Sequence, residues 1–185
     1  MKEIAAEERA GLGLSYTDRL DPYALAGEHG VRVYPIDELP DAYCSQDAVT
    51  HFTRRRTAVW SAALIPIGTA RVILENTAHN PVRRCSSIAH ELGHFLLEHP
   101  FDTILLTDDG CRRFDAAKER EATFLAGELL IPYQAALKAA FAGKANEQIA
   151  DHYGVSTQFA QMRMSGARVH AGRALTKQAT TGHRW

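Results

Sequence analysis

The stretch IAHELGHFLLEHP, Ile88 to Pro100, most constrains what this chain can fold into. Asn80-Pro81 upstream combines a helix cap with a first-turn proline, and Pro100 cannot continue a helix, so the spacing predicts one helix over Pro81 to His99. Val82, Cys85, Ile88, Ala89, Leu92, Phe95 and Leu96 recur at three- and four-residue intervals, which requires one broad face to be buried. His90, Glu91, His94 and His99 border that face, where apolar residues would be more stable.

His90 and His94 lie about one turn apart, so their imidazoles project side by side and can reach one metal ion. Glu91 points about 100° around the axis, which lets it meet a metal-bound water without ligating the ion. This is the H-E-x-x-H arrangement, in which zinc brings the pKa of water to roughly 7 and the glutamate accepts the proton. Without a metal, a buried His-Glu-His cluster carries a desolvation penalty of several kcal/mol unless each polar atom finds a partner.

A catalytic zinc needs a third protein ligand. The layout with a further histidine six residues on is excluded, because Pro100 stands there and His99 comes one residue early. Glu98 is poorly aimed, since successive four-residue steps drift by about 40° each. The remaining candidates, Glu119, Glu121 and Glu128, lie on a second helical stretch, AAKEREATFLAGELLIP, ended by Pro132. Glu121 sits among Ala122, Phe124 and Leu125 and needs a reason to be there. Ligation supplies one, and pairing with Arg120 or Lys118 is the alternative.

Around these helices, PYALAGEHG opens with the cap chemistry of Asp21-Pro22 and leads into the strand-like VRVY. TAVWSAALIP and ARVILEN read as a hairpin turning near Gly68. Further helices are predicted at about Gln134 to Ala142 and Glu147 to Tyr153, with Val155-Ser156 opening another. IADHYGVSTQFAQMRM has helix-turn-helix spacing, so packing within the domain and contact with DNA are competing readings, the second the lesser. Arg54-Arg55-Arg56 reads as a solvated edge guard.

Apolar residues make up 45% of the 185 residues and charged ones 23%, with a formal net charge of -1, the composition of an ordinary globular domain. The start, MKEIAAEERAGLGL, lacks the apolar core of a secretory signal and no run approaches bilayer-spanning length, so a cytoplasmic location is expected. Cys44, Cys85 and Cys111 are scattered and read as reduced packing residues rather than a disulfide or zinc framework. The expected organisation is a lead-in over 1–20, a main domain over 21–165 with the helix-turn-helix-like segment at about 145–165, and a basic C-terminal tail over 166–185 whose last dozen residues are frayed.

The stretches ARVILENTAHNPVRRCSSIAHELGHFLLEHP, AAKEREATFLAGELLIP and IADHYGVSTQFAQMRM, in that order, resemble the ImmA/IrrE family of zinc metallopeptidases. The resemblance covers about Asp21 to Met164 and implies an α+β, zincin-like fold, mainly helical, with a small antiparallel sheet packed on the H-E-x-x-H helix. It implies Glu91 as the catalytic base and His90, His94 and Glu121 as metal ligands, Glu121 being taken as the glutamate that opens E-A-x-x-x-A-x-x-L-L-x-P. Leu125 stands where the pattern has phenylalanine. The implied cofactor is Zn2+, with Mn2+ bound by the same donor types. The implied partner is a helix-turn-helix repressor, cut to derepress its genes. A regulatory DNA- or repressor-binding protein with a structural metal is the alternative.

Overall fold

A computed structural model describes residues 1–39, 43–100 and 115–181. The chain forms two compact units, one built from Asp21–Ala126 and the other from Lys2–Leu20 with the residues from Gly127 onward. The architecture is α+β and mainly helical, as the resemblance implies.

In the first unit, α2 (Pro22–Glu28) starts where Asp21 accepts the Tyr23 amide, as the cap-plus-proline signal requires. It leads into β1 (Arg32–Pro35) and a 3-10 turn, Ile36–Glu38. A short helix, α3 (Gln46–Thr50), runs into a π turn over His51–Arg55. Arg55 there forms an exposed ion pair with Asp47, so the arginine run belongs to a helical turn and not to a strand edge. Strands β2 (Ala62–Ile67) and β3 (Ala70–Glu75) form the expected hairpin, turning at Gly68 with φ 57°.

The sheet order is β1-β3-β2, with β1 parallel to β3 and β2 antiparallel to it. The sheet is therefore mixed, which corrects the antiparallel expectation: β1 reaches β3 by a long crossover rather than by a hairpin. Helix α4 (Pro81–Leu96), capped by Asn80, lies against β2 and β3 and buries Ile88, Ala89, Leu92 and Gly93. At the sheet's far end Glu75, only 2% exposed, is held by Arg84 through two hydrogen bonds of 2.6 and 2.8 Å and by the Tyr23 hydroxyl at 2.7 Å. A buried carboxylate is tolerated only with such partners.

Helix α5 (Ala116–Leu130) begins in the first unit and ends in the second. The second unit continues through α6 (Tyr133–Phe141), α7 (Asn146–Tyr153) and α8 (Thr157–Thr181), with α6 and α7 each packing on α8. Helix α8 runs on to Thr181, so the segment expected as a basic tail from residue 166 is helical as far as Thr181, including most of the last dozen residues expected to fray. The expected lead-in is also structured, as helix α1 (Lys2–Gly11). Its Arg9, 2% exposed, donates to the carbonyls of Leu129, Ser15 and Asp18.

Gly154 in the left-handed conformation, φ 66°, separates α7 from α8 as the helix-turn-helix-like pattern requires. Ala150, Val155, Ala160 and Met164 are all buried. Arg163, the arginine within the helix-turn-helix-like segment, donates to Glu128 at 2.7 Å and to the Ile131 carbonyl. The segment therefore spends its apolar face and its arginine on packing within its own unit. Among the described residues, no helix is long and apolar enough to cross a membrane.

Candidate metal centre

The site arises where α4 meets α5. Gly93 lets the two backbones come close: a Cβ built on it would stand 2.8 Å from the Ala122 carbonyl oxygen and 3.0 Å from the Ala122 Cα. With backbones this close, side chains flanking the crossing must meet. On α5, Glu119 lies about 60° around the axis from Ala122, whereas Glu121 lies about 100° to the other side.

Glu119 accordingly faces the two imidazoles, with Oε2 3.1 Å from His90 Nε2 and Oε1 3.5 Å from His94 Nε2. The two Nε2 atoms are 3.2 Å apart. One ligand-type atom from each of His90, His94 and Glu119 lies within 4.8 Å of the others. Glu121 is elsewhere: its Oε2 is 3.1 Å from His99 Nε2 and its side chain is 52% exposed. The carboxylate that the fold brings to the imidazoles is thus Glu119, and Glu121, the ligand the resemblance implies, stands about 160° away around α5.

Burial, reinforced by the adjacent His90 and His99, outweighs the pull of Glu119 and pushes the His94 imidazole down to about 4. It is neutral near pH 7, with one nitrogen lone pair open to a cation. Each imidazole also has a partner at its outer nitrogen: His90 Nδ1 lies 3.4 Å from the Thr123 hydroxyl and His94 Nδ1 lies 2.9 Å from His99 Nδ1. A donor set of two imidazoles and one carboxylate, converging and oriented from behind, fits a catalytic divalent cation.

Glu91 is anchored separately. Its Oε2 accepts the Leu64 amide of the edge strand β2 at 2.8 Å. It shares with His90 a hollow of about 220 Å³ that Ser61, Ala62 and Arg83 also line. Arg83 donates to the Ser61 hydroxyl at 3.0 Å there. Arg84, the next residue on α4, is committed to Glu75. Glu128, the third candidate ligand, is taken by Arg163 in the second unit. Among the described residues Cys44 and Cys85 form no disulfide, and Cys111 and the FDTILLTDDGCRRF stretch lie outside the described residues.

Sequence reasoning held Glu119 as a candidate but took Glu121 on the resemblance, and it missed Thr123 and the Leu64 amide. The Gly93–Ala122 pair was the available signal, because small residues on two helices mark where backbones can approach. An H-E-x-x-H helix laid on a small sheet, with its imidazoles meeting a carboxylate from the next helix, places the molecule in the zincin-like class. The family model described as the IrrE N-terminal-like domain matches residues 26–165, and the chain belongs to that family of peptidases. No curated protein and no solved structure gives a significant match.

Proposed function

We propose that this peptidase is a metal-dependent endopeptidase with His90, His94 and Glu119 as ligands and Glu91 as general base. The observation that carries the reading is the convergence of those three ligand-type groups within 4.8 Å, with Glu91 anchored beside them. Zn2+, or Mn2+ at the same donors, would supply Lewis-acid chemistry, acidifying water and polarising the scissile carbonyl.

The chain's own groups do the proton work. Glu91 takes a proton from the attacking water as the new C–O bond forms, then delivers it to the amide nitrogen as the C–N bond breaks. The Leu64 amide fixes one carboxylate oxygen, so the base meets the water in one orientation. Arg83, lining the same hollow, is placed to balance developing negative charge.

The ImmA/IrrE resemblance supports a helix-turn-helix transcriptional repressor as the substrate and cytoplasm as the place of action. The test is to incubate the zinc-loaded protein with the repressor encoded beside it. One discrete cut is expected, abolished by a chelator and restored by added zinc. A repressor left intact by fully loaded protein, or a cut insensitive to chelation, would count against this assignment.

A further inference from the structure

His99 and Glu121 take no part in ligation or proton transfer as proposed above, although both are held in defined contacts. Helix α4 ends in a Schellman closure: Glu98 N–H donates to the Phe95 carbonyl and His99 N–H to the His94 carbonyl, each at 3.0 Å. Closing it puts Glu98 in the left-handed region, φ 51°, a conformation that ordinarily favours glycine. The consequence is geometric. The chain folds back so that the His99 ring stands against the His94 ring, centroids 5.0 Å apart, with the His99 side chain only 10% exposed.

Proton accounting then fixes the direction of every bond. A His94 that offers its Nε2 lone pair to a cation must carry its proton on Nδ1. That proton can go only to the lone pair of His99 Nδ1, 2.9 Å away. His99, accepting at Nδ1, must carry its own proton on Nε2, which lies 3.1 Å from the Glu121 carboxylate. The chain Glu121, His99, His94 closes without two donors or two acceptors facing each other.

Resting on the metal-site reading above, we infer that His99 and Glu121 are positioning residues that lock His94 in its Nδ1–H tautomer and orient it for the metal. His99 is the relay, and Glu121 acts only through it. The fold thus uses both glutamates of E-R-E: Glu119 toward the ion, Glu121 toward the group behind a ligand.

The test is zinc affinity, measured with Zn2+ alone by competition against a chromophoric chelator. The proteins compared are the wild type, His99→Leu, His99→Gln, Glu121→Ala, the His99→Leu/Glu121→Ala double variant and Glu119→Ala. His99→Leu is expected to weaken binding roughly 10- to 100-fold, the usual scale for groups behind a ligand. Glu121→Ala weakens it less and adds nothing to His99→Leu. His99→Gln restores most of the loss, because its carboxamide can accept from His94 and donate to Glu121. Nitrogen-15 NMR of the metal-free protein should find the His94 proton on Nδ1 in the wild type and moved in His99→Leu.

Should His99→Leu fail to fold, Glu121→Ala and His99→Gln carry the same comparison, since the Glu121 side chain is half-exposed. Wild-type affinity in His99→Leu, or losses that multiply in the double variant, would overturn the relay. Loss of zinc in Glu119→Ala alongside either result leaves the metal site standing, whereas a wild type that binds no zinc removes the site itself.

Discussion

Glu91→Gln will hydrolyse substrate at least about a hundredfold more slowly than the wild type while binding the same one equivalent of metal, the scale expected for losing a general base. Glutamine keeps the volume of the side chain, and its carbonyl oxygen can still accept the Leu64 amide, so the local fold has no reason to move. Only the capacity to take a proton from water is removed. The measurement is kcat beside metal content and melting temperature for the two proteins. Unchanged turnover would reject Glu91 as the base, and loss of metal in step with activity would make it a structural residue.

Gly93→Ala should have the second large effect, through the backbone. Its new methyl group would meet the Ala122 carbonyl oxygen at 2.8 Å and the Ala122 Cα at 3.0 Å, well inside van der Waals contact. Neither atom belongs to a flexible side chain, so α4 and α5 must separate, at a cost of about 1–3 kcal/mol, the range for overpacking a core. Because His90 and His94 sit on one helix and Glu119 on the other, the same separation opens the ligand set. Denaturant unfolding and zinc titration should therefore both report a loss. Ala122→Gly should not rescue it, because the clash is with main-chain atoms. A variant of wild-type stability and affinity would mean that the helices do not cross here.

The start of helix α4, its buried face and the placing of its motif are legible in the sequence because those signals are local, whereas its end is not: the helix stops at Leu96, short of the predicted His99. Asn80-Pro81 opens it, the apolar spacing sets its buried face, and the placing of His90, Glu91 and His94 comes from a helical period of about 3.6. The hairpin around Gly68 is equally local. The features that were not legible depend on how distant elements meet. The parallel pairing of β1 with β3 joins Arg32 to Val72, and nothing near either residue encodes it. Helix α1 is secured by Arg9 reaching the Leu129 carbonyl, a contact across 120 residues.

The choice between Glu119 and Glu121 has the same character. They flank the buried row of Ala122, Leu125, Ala126 and Leu129 on opposite sides, and periodicity does not say which side meets a partner. The crossing partner decides, and that partner is Gly93 on another helix. A glutamate among apolar neighbours did signal a need for a partner, and the partner it finds is His99.

All of the proposed chemistry depends on one event, the binding of a single divalent cation by two imidazoles from α4 and the Glu119 carboxylate from α5. The most direct test is metal content by elemental analysis of the wild type, Glu119→Ala and Glu121→Ala, each equilibrated with excess zinc and then desalted. One zinc per chain is predicted for the wild type, close to one for Glu121→Ala and close to none for Glu119→Ala. Zinc retained by Glu119→Ala and absent from Glu121→Ala would contradict it.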